Sequence, residues 1–134
     1  MIERFNPPTV HEPAGYSHVT ISNADRLVHL AGQCPLDLAG HVVGAPGDFT
    51  AQTEQVVTNC LAVLAAAGAT PADVVRSVIY VVSPDSDILS AVWWQLKASP
   101  LAEAFTTAST LLGVASFGYQ GQLIEIDLTA ALSA

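Results

Sequence analysis

The chain has very few charged side chains, and the basic ones are the scarcest. Only 12% of the 134 residues are charged, and 12 acidic residues stand against 4 lysines and arginines, a formal net charge of −8. No lysine or arginine follows Lys97. Nucleic-acid-binding proteins neutralise phosphates with clustered basic residues, and an acidic chain is repelled by anionic membranes. The sequence therefore predicts neither a nucleic-acid partner nor a membrane partner.

Long apolar runs are also lacking. The longest uninterrupted apolar stretch, residues 60–69, is about half the roughly 20 residues that a membrane-spanning helix needs. The first 13 residues have no apolar segment behind a basic region, so we expect no secretory signal and a cytoplasmic location.

Motifs that hold metals or cofactors are absent as well. Cys34 and Cys60 are far apart and are expected to be reduced thiols, and the four histidines do not show metal-ligand spacing. The sequence has no glycine-rich nucleotide-binding motif. We therefore expect no metal and no cofactor.

Apolar residues, in contrast, are abundant. They make up 51% of a chain whose length suits a single domain spanning residues 1–134. A small domain with so few charges must expose apolar patches, and such patches usually contact another protein. The composition therefore indicates a homo-oligomer.

The periodicity of the apolar residues predicts an α+β domain. Strands show alternation or β-branched runs, and helices show three- and four-residue spacing. The predicted order is β-β-α-β-α-β-β: strands 16–22 and 26–32 as a hairpin, helix 50–67, strand 74–82, helix 86–98, and strands 109–116 and 122–132. Two helices can cover only one face of such a sheet. We therefore expect a second copy of the chain to cover the other face.

The last predicted strand carries two acidic side chains. Glu125 and Asp127 alternate with Ile124 and Ile126, so both carboxylates point to the face that the helices leave bare. This places Glu125 at or near the expected subunit interface. It is either a general acid/base beside a cavity or a structural carboxylate that accepts backbone N–H groups.

Several short segments, in this order and spacing, resemble the Rid family (YjgF-like or L-PSP-like reactive intermediate deaminases). They are residues 16–17, 31–37, 51–53, 66–69, 73–75, 109–110 and 123–127. The resemblance implies a sheet-plus-two-helix protomer that forms homotrimers around a barrel-like core, similar to the small trimeric chorismate mutases. It also implies small-molecule cavities between adjacent subunits.

The resemblance also implies roles for particular residues. Glu125 matches a glutamate that handles a catalytic water, and three residues match other cavity positions: Tyr16, Gly32 and Thr110. The neighbouring Ser109 belongs to the same ligand-binding stretch. Phe117 and Tyr119 flank a glycine turn, and they form either a lid over the cavity or packing contacts across the interface.

The chain departs from the family at one position. In the archetypal deaminases an arginine precedes the dipeptide that matches Ser109-Thr110, and it holds the carboxylate of a 2-imino or 2-enamino acid. Here that position is Ala108, which offers no such bonds, as in a Rid subgroup that lacks the arginine. Arg76 or Arg26 of a neighbouring subunit are candidate replacements, and Arg76 is favoured because it lies on the central strand.

Together these observations predict a Rid-like hydrolase. Its substrate would be an imine, an enamine or a related labile C–N compound that is not one of the usual 2-imino acids. The alternative is a non-catalytic trimeric module that binds a metabolite or regulates a partner.

Overall fold

The structure, a computed structural model, describes residues 1–133. These residues form a mixed α+β domain with six strands, two helices and two 3₁₀ turns. The strands are β1 (Ile2–Phe5), β2 (Val19–Ser22), β3 (Arg26–His29), β4 (Val74–Val81), β5 (Ala108–Gly113) and β6 (Ile124–Leu132), the helices are α1 (Phe49–Ala66) and α2 (Ser86–Lys97), and the 3₁₀ turns are Pro71–Asp73 and Ala102–Phe105.

Four strands form the main sheet in the order β3-β6-β4-β5. The central strand β4 is antiparallel to β6 and parallel to β5, and β3 is antiparallel to β6. A parallel pair needs a crossover connection, and α2 supplies it between β4 and β5. Strands β1 and β2 pair antiparallel as a separate two-stranded sheet.

Local signals in the sequence fix the ends of both helices. Asp48 caps α1 by accepting a hydrogen bond from the backbone N–H of Ala51 at 2.9 Å. Gly68, with a φ of +79°, follows the end of α1 in the left-handed conformation that glycine adopts most easily. Asp85 caps α2 through the N–H of Asp87 at 2.8 Å.

The core lies between the helices and one face of the main sheet. Fully buried side chains of the two central strands pack against the apolar stripes of α1 and α2; they include Ile79, Val81, Ile124, Ile126, Leu128, Val56, Leu64, Val92 and Leu96. On α2, Trp93 is buried in this core and Trp94 points outward, as the 100° step between adjacent helical residues requires.

The opposite face of the main sheet is not covered by any element within residues 1–133, and we call it the open face. Because side chains alternate along a strand, it carries Arg76, Val78, Tyr80, Ala108, Thr110, Leu112, Glu125, Asp127, Thr129, Leu27 and His29. Leu27 and Leu112 are 55% and 43% exposed. Strand β4, the central strand, was expected to be covered on one face by the helices and on the other by a second copy of the chain. Within one chain, the helices cover the first of these faces.

The predicted hairpin over residues 16–32 is wrong. Its two halves, β2 and β3, lie in different sheets: β2 pairs with β1, and β3 pairs with β6. The residues before β2 turn instead towards the β5 edge, where Ser17 bridges Ala108. His18 and His29, expected on paired strands, therefore do not face each other, and the His18 ring packs on that of His11.

Other strand boundaries also differ from the prediction. Strand β2 begins at Val19 instead of residue 16, β3 ends at His29 instead of residue 32, β5 ends at Gly113 instead of residue 116, and β6 begins at Ile124 instead of residue 122. Strand β1 precedes all the predicted elements.

Candidate functional site

The carboxylate of Glu125 is held at one of its two oxygens. The Cys34 thiol donates to Oε1 at 3.1 Å, and the Gln122 side-chain amide donates to the same oxygen at 3.2 Å. Both contacts come from outside β6, one from the segment after β3 and one from the turn before β6. They leave the other oxygen, Oε2, without a donor among these neighbours.

Gly32 gives that second oxygen its space. A Cβ atom on Gly32 would lie 2.5 Å from Glu125 Oε2 and 2.8 Å from Cδ. Both separations are too short for non-bonded atoms, so any other residue at position 32 would displace the carboxylate. The glycine is therefore required by the close approach of Glu125.

Gln122 combines burial with an unsatisfied acceptor. Its amide nitrogen donates to the carbonyl of Ile124 at 3.0 Å and to Glu125, while its own Oε1 is buried without a hydrogen-bond partner within residues 1–133. Such an acceptor is usually satisfied by an ordered water or a ligand. The side chain thus orients Glu125 through its amide nitrogen, and its buried oxygen marks a position next to the site where an ordered water is expected.

The turn that carries Gln122 is fastened to α1. Gln52, which is buried, donates to the carbonyl of Gly121 at 2.9 Å and accepts from the N–H of Leu123 at 2.7 Å. The Gln52 side chain thus bonds to one backbone C=O and one backbone N–H group, as a neighbouring strand would. These two bonds fix the start of β6 and therefore the position of Glu125.

The Cys34 thiol is a poor nucleophile in this setting. Burial, and then the hydrogen bond to the negatively charged Glu125, raise its pKa from the ordinary 9.0 to about 11. Cys34 therefore stays protonated at neutral pH and serves as a hydrogen-bond donor, because the thiolate is the reactive form. Cys60 is inert for a simpler reason, since burial in the core raises its pKa to about 12.

We expect Cys34 to react slowly with iodoacetamide at pH 8. A pKa raised by two units leaves about 100-fold less thiolate than an ordinary cysteine has. The Glu125→Gln variant should react faster than wild type, because it removes the negative charge that opposes ionisation. Peptide mass spectrometry can follow Cys34 separately from Cys60, and equal rates in both proteins would contradict the contact.

Ala108 and Thr110 lie on the open face next to an arginine of the same chain. In the parallel register of β4 and β5, Arg76 is paired with Ala108. The Arg76 guanidinium donates from Nη2 to the Thr110 hydroxyl at 2.7 Å. The structure thus places a cation beside the position where the sequence lacks one.

Tyr16 and Ser109 lie on the other side of the sheet. Together with Ala14, Trp93 and Leu111 they line a cavity of about 300 Å³ beside α2. The Ser109 hydroxyl is hydrogen-bonded to that of the buried Ser77, and the Tyr16 hydroxyl lies 2.8 Å from His11 Nε2.

Gly32 and Tyr119 line a second, larger cavity. It measures about 600 Å³ and extends along α1, with Cys34 and Asn59 also in its wall. Tyr119 is half exposed, and Phe117, in the same turn, is partly buried and lines neither cavity. Within one chain the predicted site residues therefore form three groups: around Glu125, around Thr110 and around Tyr16.

Three residues of this site differ from the sequence predictions. Gln122 is not among the predicted residues, Cys34 is predicted only as a reduced thiol, and Arg76 is predicted only as a residue of a neighbouring subunit. The spacing of Gln122, three residues before Glu125 in a glycine turn, was the one available signal.

No group of three or more histidine, cysteine, aspartate or glutamate side chains within residues 1–133 is arranged to hold a metal ion. Across the same residues, neither helix has the length and apolar character to cross a bilayer.

The fold and sequence match known proteins over almost the whole chain. The family model for endoribonuclease L-PSP matches residues 9–132. Protein DfrA of Myxococcus xanthus is 41% identical over 117 residues, which covers 86% of this chain and 83% of that protein.

Solved structures agree with these matches. The Rid-family protein YyfB of Yersinia pestis, whose function is unknown, is 39% identical and superposes with a TM-score of 0.87 over 98% of both chains. Rv2704 of Mycobacterium tuberculosis, a member of the YjgF/YER057c/UK114 family, is 24% identical and shares the fold, with a TM-score of 0.63 over 98% of this chain and 100% of that one. This chain therefore belongs to the Rid/YjgF family.

Proposed function

We propose that this protein is a cytoplasmic homotrimer that hydrolyses an imine, an enamine or a related labile C–N compound. The observation that carries the proposal is the carboxylate of Glu125, held at Oε1 by Cys34 and Gln122 with Oε2 beside Gly32. A carboxylate fixed at one oxygen presents the other to a water molecule in a defined direction.

In the proposed reaction an enamine first tautomerises to its imine. Glu125 accepts a proton from water as the water oxygen bonds to the carbon of the C=N group, and it passes this proton to the nitrogen, which gives a carbinolamine. Glu125 then takes the proton of the new hydroxyl group and returns it to the nitrogen as the C=O bond forms and the C–N bond breaks. The products are a carbonyl compound and ammonia or an amine, so one water is consumed and the carboxylate is regenerated. The buried acceptor of Gln122 supports the presence of a water or ligand donor nearby.

The distance between two parts of the site supports an intersubunit cavity. Glu125 is paired with Tyr80 and Thr110 with Val78, so the two side chains lie two residues apart along β4 and on the strands on either side of it. At about 3.3 Å per residue and about 4.8 Å per strand, this is roughly 7 Å along the strands and about 10 Å across them, or about 12 Å in all. A ligand of a few atoms does not span this distance within one chain, and in the proposed assembly a second copy packed on the open face supplies the other part of the cavity.

The exposed apolar side chains favour the same arrangement. Leu27 and Leu112 lie on the open face of a chain that has only four lysines and arginines. Burying such side chains between copies is favourable, at about 25 cal/mol per Å². Light scattering should give three times the protomer mass of 13.9 kDa, and a monomer would remove the intersubunit cavity.

The proposed substrates are not the usual 2-imino acids, because Ala108 replaces their carboxylate-binding arginine. The test compares two imines made in situ, 2-iminobutanoate from an amino-acid oxidase and a carboxylate-free aldimine from an amine oxidase. Acceleration of either imine above its spontaneous hydrolysis supports the reaction class. Binding of imine-derived ligands without any acceleration would favour the non-catalytic metabolite-binding module.

RNA cleavage, the activity in the family model's description, is not proposed. Arg4 donates to the carbonyls of Ala72 and Val74, and Lys97 donates to the carbonyl of Gly15. With two of four cations engaged by backbone and a net charge of −8, the chain has no basic surface for phosphates.

A further inference from the structure

The geometry points to a carboxylate-binding site formed by Arg76 and Thr110 on the open face. It narrows the proposed function, on which it rests, by assigning the substrate a single carboxylate that is bound from β4 instead of from position 108.

The orientation of the Arg76 side chain is the first observation. Asp127 faces Val78 across β6 and β4, so it is a diagonal neighbour of Arg76 on the same face. The guanidinium nevertheless bonds to Thr110 on the other side, at 2.7 Å, and forms no ion pair within residues 1–133. Arg76 is thus held over the Ala108–Thr110 edge without a counter-charge.

The donors that remain free are the second observation. A guanidinium has five N–H groups. Within residues 1–133 the Arg76 side chain makes one hydrogen bond, which is to Thr110. The Thr110 oxygen accepts this bond, so its own O–H remains free to donate. The pair therefore offers the free edge of a guanidinium and an adjacent hydroxyl, donors that match the two oxygens of a carboxylate.

The third observation is the small side chain of Ala108. Ala108 is the strand partner of Arg76, and its methyl group offers the remaining guanidinium donors no hydrogen-bond acceptor. The charge balance on this face limits what can bind there. Glu125 and Asp127 lie on the same face, so a monoanion such as a carboxylate fits better than a phosphate dianion.

Binding of small keto acids tests the site without requiring turnover. The probes are 4-oxopentanoate and 2-oxobutanoate, with neutral methyl 4-oxopentanoate as the comparison, titrated by NMR against the assembled protein at constant ionic strength. We expect at least one acid to bind wild type, with affinity reduced about tenfold or more in Arg76→Gln, because a charge-assisted hydrogen bond is lost. The ester should bind weakly and equally to both proteins.

Thr110 and Arg26 supply matched variants. Thr110→Val should weaken the acid several-fold, whereas Thr110→Ser, which keeps the hydroxyl, should bind like wild type. Arg26, the other cation that the sequence offered as a replacement, is exposed on the face of β3 opposite the open face and so lies outside the proposed site. Arg26→Gln makes the same charge change as Arg76→Gln and should leave affinity unchanged. Inorganic phosphate at the same ionic strength should not compete with the acid.

Several outcomes would overturn the proposal. They are the absence of Arg76-dependent binding of either acid, an equal loss in Arg26→Gln, and competition by phosphate. A fourth such outcome is dissociation of the assembly in Arg76→Gln, measured by light scattering. It would show that Arg76 forms an intersubunit ion pair instead of binding a carboxylate ligand. Turnover without Arg76-dependent binding would leave the proposed hydrolysis intact and indicate a carboxylate-free substrate, so the two proposals fail separately.

Discussion

Replacing Glu125 with glutamine is expected to reduce imine hydrolysis by about 10²–10⁴-fold, the usual contribution of a positioned general base. Glutamine has nearly the same shape, and its carbonyl oxygen can still accept from Cys34 and Gln122. The amide, however, cannot take a proton from water. The loss should therefore fall on kcat, with little change in KM.

Asp127→Asn is the matched control for this variant. Asp127 lies two residues further on the same strand face, is also partly exposed, and undergoes the same loss of charge. It should retain most of the activity, and both variants should melt within a few degrees of wild type. An equal loss in Asp127→Asn would indicate that the acidic field of the open face matters and that Glu125 has no specific role.

The parts of the fold that the sequence predicted depend on local signals. Strand β6 alternates from Ile124 to Ala130, and α1 begins after an aspartate cap and ends before Gly68. Each signal lies within a few residues of the structure it specifies. For this reason the helices and the central strands were predicted close to their observed bounds.

The hairpin failed because strand pairing is not local. Strands β2 and β3 are four residues long and separated by a turn, so pairing them with each other was the natural expectation. In the structure β3 instead pairs with the end of β6, about a hundred residues later. Strand β6 is long and largely apolar, so β3 packs better beside it than beside another short strand. No sequence pattern within β2 or β3 indicates this pairing.

The same limit applies to the candidate site. The resemblance placed both Gly32 and Glu125 at the cavity, but their contact, the donors at Oε1 and the position of Arg76 were not predicted. Arg76 and Ala108 are adjacent only through the parallel register of β4 and β5. The sequence therefore indicated Arg76 only as a residue of a neighbouring subunit, although it lies on the next strand of the same chain.

Moving the arginine by one strand should change the substrate preference. In the double variant Arg76→Ala/Ala108→Arg, the net charge is unchanged and the guanidinium is placed where the archetypal deaminases of the family carry it. The quantity to compare is the rate of hydrolysis of 2-iminobutanoate divided by that of the carboxylate-free aldimine. We expect this ratio to be at least tenfold higher in the double variant than in wild type, since charge-assisted bonds to the carboxylate are worth about a factor of ten or more.

The single variant Ala108→Arg should be inferior to the double variant. Its new guanidinium would face Arg76 directly across β4 and β5, and like charges opposite each other on a sheet are destabilising. It should therefore melt at a lower temperature and gain less activity on 2-iminobutanoate. If both variants fold, keep the oligomeric state of wild type and match wild type on both imines, the cation does not select the substrate.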